Sequence, residues 1–195
     1  MNGSGMDPVM TMDMPLLPGW LEVLWALVLG AVAITHLWHV WWMSGRARWW
    51  HLAHVLMAAA MMVMYLAAQP AHADLYRAGV ALFGALTISM ILTCIWWASQ
   101  DNFPNWLWAA STVGMLVMAY MSLPVGDHLA TVTYLLVVYL AGEALVWVCN
   151  PLRLAADVTP AVRLSLAVMA LGMGYMLVAM QTMHMHVVPA VMTMH

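Results

Sequence analysis

The sequence predicts an all-α integral membrane protein, a bundle of six transmembrane helices with both termini on the same, extracytoplasmic side. Two observations give the class: 66% of the 195 residues are hydrophobic and only 7% are charged, whereas about 25% of a typical soluble domain is charged. A third observation gives the count. Six apolar runs, each long enough to cross a bilayer at about 1.5 Å of helix per residue, alternate with short turn-forming segments.

The six predicted spans lie close together along the chain. They cover residues 19–43, 49–68, 75–98, 104–123, 128–149 and 161–182. This transmembrane domain, residues 19–182, follows a Met/Asp-rich arm over residues 1–18 and precedes a Met/His-rich tail over residues 183–195. Because the connections are short, consecutive helices are expected to pack antiparallel.

Arginine placement predicts the orientation. Arg46 and Arg48 lie in the first loop, Arg153 and Arg163 lie in or beside the fifth, and only Arg77 lies at an even-numbered loop. Cytoplasmic loops of membrane proteins carry the excess of basic residues, so the odd loops are expected in the cytoplasm and both termini outside it. The expected location is the cytoplasmic membrane of a bacterium. A formal charge of −3 with five arginines gives no footprint for nucleic acid.

Two His-x-x-His pairs, His36/His39 and His51/His54, flank the first turn. Residues three apart share a helix face, and the two pairs lie at similar distances from the turn. In an antiparallel hairpin with axes about 8–10 Å apart, their imidazoles reach a shared ion. Glu143 of the fifth span is expected at comparable depth. Ionisable side chains inside a membrane are expensive, so these five residues are candidate metal ligands.

Three interpretations of this cluster remain open. In the first, the imidazoles bind copper, zinc or iron, with Glu143 as a ligand or as a hydrogen-bond partner of a ligating histidine. In the second, one histidine from each of two helices ligates haem b, although a tight hairpin leaves little room for the ring. In the third, the histidines hydrogen-bond across helices and only stabilise the bundle.

Methionine and histidine are also concentrated at the two termini. The chain has 22 methionines and nine histidines, and thioether and imidazole groups both suit copper. In the arm, methionines alternate with aspartates: Met6, Asp7, Met10, Met12, Asp13 and Met14. In the tail, the candidate ligands are Met183, His184, Met185 and His186. The termini therefore predict a second, outer metal site.

The stretch HLWHVWWMSGRARWWHLAHVLMAAAMMVMY, residues 36–65, together with the spans around it, resembles a family of small actinobacterial polytopic membrane proteins of unknown function. The resemblance implies a helical membrane protein and assigns neither an activity nor a catalytic residue.

The favoured function is the binding or handling of a metal ion, above all copper, through His and Met ligands, without a catalytic activity of its own. The alternative is an accessory or structural subunit of a larger membrane metalloenzyme or respiratory complex, in which helices pack against other subunits as well as the lipid bilayer. A transporter is a third option. It would need a path of ligands for the ion, and one face of the second helix offers a series of thioethers at Met57, Met61 and Met64. Packing explains these methionines more simply.

Overall fold

A computed structural model of the chain describes residues 19–67, 72–99, 106–124, 127–149 and 158–192, with side chains as far as Thr182 in the last range. These described residues form six α-helices and no strand. The helices are α1 (Gly19–Trp42), α2 (Gly45–Leu66), α3 (Ala73–Ala98), α4 (Trp106–Met121), α5 (Ala130–Cys149) and α6 (Pro160–Met192).

Five of the six helices in the described residues are long and apolar enough to cross a membrane: α1, α2, α3, α5 and the Pro160–Thr182 part of α6. The remaining helix, α4, has 16 residues and is shorter than the others. The predicted class, a multi-pass helical membrane protein, is therefore confirmed. α6 continues as a helix to Met192, ten residues beyond the predicted end of the sixth span. The predicted side of the termini stays a prediction.

The helices pack as three consecutive hairpins. α1 pairs with α2, α3 with α4, and α5 with α6, as the short connections predict. α6 also contacts α1 and α4, and α2 contacts α4. α6 is the central helix, because 61% of its membrane span is buried inside the protein, against 17% for α3. Most of α3 therefore faces outward.

The α1–α2 turn is tight. Only Met43 and Ser44 separate the two helices, and Gly45 adopts a φ of 62°. A residue with a Cβ is disfavoured in this left-handed region, so glycine is the suitable residue here. The turn fixes the depth of both His-x-x-His pairs relative to each other.

One end of the bundle carries Arg46, Arg48 and Arg163, and is called the arginine end. The guanidinium of Arg46, at the start of α2, lies 4.5 Å from the centre of the Trp97 ring, at the end of α3. This cation–π contact places the first and third loops at the same end of the bundle.

The core of the bundle is rich in methionine. Buried methionines of α2, α3, α4 and α6 belong to one apolar cluster: Met57, Met61, Met64, Met90, Met115, Met118, Met121, Met169, Met173, Met176 and Met180. The α2 face that bears Met57, Met61 and Met64 therefore points inward. An unbranched, polarisable side chain fills irregular gaps between helices, and it also places sulfur atoms in the protein interior.

Candidate metal centre

The α1–α2 hairpin brings four histidines into a row, in the order His39, His51, His36 and His54. Successive ring centres are 4.9, 5.1 and 5.0 Å apart. The first and last of these contacts are stacked, with interplanar angles of 19° and 16°. His39 is half-buried, and the other three are buried. This group, called the histidine row, runs from a partly exposed ring into the protein interior.

Trp50 packs along the histidine row and fixes it against α4. Its ring centre lies 4.1 Å from that of His54, 4.8 Å from that of His51 and 5.7 Å from that of His36. The indole Nε1 donates a hydrogen bond of 2.8 Å to Ser111 Oγ. The row is therefore held by aromatic contacts on one side and by a polar contact to a third helix.

Hydrogen bonds set the protonation of the two middle histidines. Ser165 Oγ donates to the carbonyl of Val162 at 2.7 Å, so at 2.9 Å from His36 Nε2 it acts as an acceptor. A neutral imidazole has one N–H, and charge is costly inside a membrane. His36 Nδ1 is then the acceptor for Nδ1–H of His51, 2.9 Å away. The remaining ring nitrogen of His51, Nε2, carries a lone pair.

The two outer histidines of the row also carry their proton on Nδ1, because each donates a hydrogen bond to a carbonyl of its own helix. His39 Nδ1 donates to the carbonyl of Thr35 at 2.7 Å, and His54 Nδ1 donates to the carbonyl of Trp50 at 2.8 Å. A carbonyl only accepts, so the proton is on Nδ1 and the lone pair on Nε2. Among the described residues, no hydrogen bond reaches Nε2 of His39, His51 or His54. Metal-ligating histidines are held in this way, with the other nitrogen donating to a carbonyl or carboxylate.

Two cavities lie against the histidine row. The large cavity, at the arginine end, has a volume of ≈ 270 Å³. Its lining includes His39, His51, Trp50, Trp108, Thr159 and Val162. The small cavity lies between α2, α4, α5 and α6 and has a volume of ≈ 20 Å³, enough for about one water molecule. Its lining includes His54, Trp50, Met57, Glu143, Met169 and Met173.

Glu143 brings a carboxylate to the small cavity. Its Oε1 accepts a hydrogen bond of 3.2 Å from Trp147 Nε1. Tyr139, one turn earlier, also interacts with the carboxyl group, yet the buried Oε2 has no partner with hydrogen-bonding geometry among the described residues. A buried carboxylate oxygen without a partner is costly, so this position favours a cation or a proton.

The structure divides the predicted ligands between the large cavity and the small cavity. The four histidines lie together, but both nitrogens of His36 are engaged, and the free Nε2 atoms belong to rings that line different cavities. In the described part of the chain, no three His, Cys, Asp or Glu side chains form a group that could hold a metal. Of the four histidines of the row, His54 is the one that shares a cavity with Glu143. Two sets of predicted ligands lie outside the side chains that the structure describes. They are the methionines and aspartates of the arm 1–18, and Met183, His184, Met185 and His186 of the tail.

Sequence reasoning passed over four residues of this region: Trp50, Ser165, Met169 and Met173. Ser165 lies two residues after Arg163, so the depth argument that links the histidine pairs would also have placed it near them. No comparable signal marks Trp50, because many tryptophans lie near span ends. The two methionines are spaced like ordinary packing residues of α6.

Ser165→Ala is expected to lower the free energy of unfolding by about 1 kcal/mol, the scale of a hydrogen bond between membrane helices. The substitution removes the acceptor for His36 Nε2–H, which is fully buried. Equilibrium unfolding in mixed detergent micelles measures the change. Thr93→Ala is the control, since the Thr93 hydroxyl only bonds to a carbonyl of its own helix on the protein surface. Equal effects of the two substitutions would show that the His36–Ser165 contact does not stabilise the bundle.

Comparison with known families identifies one match. A family model described as a domain of unknown function (DUF5134) matches residues 46–180, which include α2 from Arg46, all of α3, α4 and α5, and α6 as far as Met180. No curated protein and no solved structure matches the chain. The expected resemblance to a family of unknown function is confirmed, and its actinobacterial origin stays a prediction.

Proposed function

The chain belongs to the DUF5134 family, whose function is unknown, and we propose from its site that it binds and handles copper, as Cu(I), within the membrane. One observation carries the proposal. Three imidazoles of the histidine row hold their protons on Nδ1 and leave an Nε2 lone pair without a hydrogen bond in the described structure. A lone pair on Nε2 of a neutral imidazole is the group through which histidine binds a metal ion, and an ion in the adjoining cavities would engage these lone pairs.

The ligand chemistry favours Cu(I) over zinc. Structural zinc sites take four ligands, and catalytic zinc sites take three protein ligands, from Cys, His and carboxylate side chains. In the described residues no three such side chains form a group that could hold one metal ion. Cu(I) is a soft ion that accepts fewer ligands and binds thioethers as well as imidazoles. The row and the methionine-rich core supply both ligand types.

The spacing of the rings also favours a bare ion over haem b. The rings of the row are 4.9–5.1 Å apart and overlap along the hairpin. A porphyrin ring bound between two of these imidazoles would have to push α1 and α2 apart. The tight turn at Gly45 opposes that movement.

The large cavity gives the ion an approach to the row. His39 and His51 line this cavity and are stacked on each other, so both lie where an ion entering at the arginine end would first meet imidazole nitrogen. His36 fixes the position of His51 from behind, through Ser165. His54 lies at the other end of the row, beside the small cavity.

Asparagine substitutions test the proposal, because the asparagine amide can replace Nδ1–H as a donor and removes Nε2. We expect His39→Asn and His51→Asn each to weaken Cu(I) binding by at least about tenfold, the lower scale for disturbing a metal site. His72→Asn is the matched control, since His72 is exposed at the start of α3. Affinity is measured on the full chain in detergent by competition with a coloured Cu(I) chelator.

A second set of variants separates the inner site from the termini. His184→Ala with His186→Ala removes imidazoles of the tail and leaves the row intact. If copper binding depends on these two tail residues and is insensitive to His39 and His51, the inner site is wrong. A protein that binds no copper and co-purifies with subunits of an oxidase would support the alternative function, an accessory subunit.

A further inference from the structure

Residues that carry soft ligand atoms line the small cavity from two helices. His54 and Met57 line it from α2, and Met169 and Met173 line it from α6. All four side chains are buried, with at most 4% of each exposed. Glu143 lines the cavity from α5. The lining of this space, which has room for about one water molecule, therefore includes one histidine, three methionines and one glutamate among tryptophan, serine and small apolar residues.

The thioether of Met57 is held close to the α4 backbone at Gly114. A Cβ placed on Gly114 would lie 3.2 Å from Met57 Cε and 3.6 Å from Met57 Sδ. The glycine therefore leaves the space that the end of this side chain occupies. Since Met57 also lines the small cavity, the packing at Gly114 fixes one thioether beside it.

The lining of the cavity suits a soft cation better than water. Thioether sulfur is a weak hydrogen-bond acceptor, so the partners for a water molecule would be His54, Glu143 and Ser111. The Ser111 hydroxyl is already bonded to Trp50 Nε1 and to the Leu107 carbonyl. A hard cation would prefer several oxygen ligands. A soft monovalent cation is satisfied by sulfur and imidazole nitrogen, and its charge would neutralise the carboxylate whose Oε2 has no partner in the described structure.

We propose that the small cavity is a Cu(I) site, with His54 Nε2 and the thioethers of Met57, Met169 and Met173 as candidate ligands and Glu143 as the compensating charge. This site rests on the proposed function, because it assumes that the protein handles copper, and it adds sulfur ligands that the histidine row does not supply. His54 belongs both to the row and to the cavity. It therefore links the imidazoles at the large cavity to the site inside the bundle.

The test compares methionine-to-leucine changes at the cavity with one elsewhere in the same core. The first variant combines Met57→Leu and Met173→Leu, which remove sulfur while nearly conserving side-chain volume. The control is Met118→Leu, since Met118 is fully buried in the same core but is outside the cavity lining. The full-length protein in detergent is loaded with two equivalents of Cu(I), one for the histidine row and one for the small cavity, and X-ray absorption records the sulfur and nitrogen ligands. Thermal unfolding checks that each variant is folded.

We expect sulfur ligands in the wild-type protein and in Met118→Leu. We expect fewer of them in the double variant, which retains Met169, together with an affinity lower by at least about tenfold. Glu143→Gln is expected to weaken binding while the sulfur ligands remain. An undiminished number of sulfur ligands in the double variant would overturn the cavity site, because the sulfur would then come from other methionines. An equal loss in Met118→Leu would also overturn it and assign the methionines to packing.

The results for the histidine variants and for the methionine variants distinguish a failure of the cavity site from a failure of the proposed copper binding. If His39→Asn and His51→Asn weaken Cu(I) binding while the double methionine variant does not, the cavity site is wrong and copper binding at the row stands. If the wild-type protein binds no Cu(I), both are wrong.

Discussion

Trp50→Ala is expected to lower the free energy of unfolding by about 3–5 kcal/mol, the range for truncating a large buried aromatic side chain. Trp50 is 8% exposed, contacts three histidines of the row and donates a hydrogen bond to Ser111. It also lines both cavities, so its removal is expected to join them. Equilibrium unfolding followed by circular dichroism measures the change, because this signal does not depend on the number of tryptophans.

The neighbouring residue provides the control. Trp49 is 69% exposed, so Trp49→Ala removes the same side chain from a position outside the core and is expected to change stability little. Joining the cavities has a separate readout, since His54 should become reactive towards a water-soluble histidine reagent in Trp50→Ala and not in Trp49→Ala. Equal losses of stability in the two variants would contradict the placement of Trp50 between the cavities.

His36→Leu is expected to lower the free energy of unfolding by about 2–3 kcal/mol, because it removes two buried contacts between helices and leaves the His51 N–H without its acceptor. His36 is fully buried, and its bonds to His51 and Ser165 join α1 to α2 and to α6. Leucine conserves much of the volume, so the loss reports mainly on the hydrogen bonds.

His39→Leu serves as the comparison for this substitution. His39 is half-buried and bonds to a carbonyl of its own helix. We therefore expect its replacement to lower the free energy of unfolding by less than about 1 kcal/mol. We expect His39→Leu to weaken copper binding more than His36→Leu does. His39 supplies a free Nε2, whereas His36 acts only by positioning His51. A larger loss of stability in His39→Leu than in His36→Leu would contradict the assigned hydrogen bonds.

Much of the fold could be predicted from composition and periodicity. Long apolar runs separated by turn-forming residues define helices in a membrane, because the backbone must satisfy its hydrogen bonds internally. The depth argument placed His36, His39, His51 and His54 together for an equally simple reason, since a short turn fixes the register of a hairpin. Glu143 and His54 line the same cavity, in agreement with the depth that the position of Glu143 in its span suggested.

The division of the row between two cavities was outside the reach of sequence reasoning. Spacing of three residues says that His51 and His54 share a face, but it does not say which ring nitrogen is engaged. That depends on Ser165 and on the carbonyls of Thr35 and Trp50, which are set by side-chain rotamers and by the rotation of α6. The three thioethers at the small cavity likewise follow from helix packing and not from any local motif.

The central claim, that the histidine row binds copper, is tested most directly by the metal content of the purified protein. The full-length protein is loaded with Cu(I) and passed through a desalting column. Its copper is then measured by mass spectrometry beside a variant carrying His39→Asn, His51→Asn and His54→Asn. The proposed function predicts stoichiometric copper in the wild-type protein and a large loss in the triple variant, with His72→Asn unchanged. Equal copper in the wild-type protein and the triple variant would contradict it.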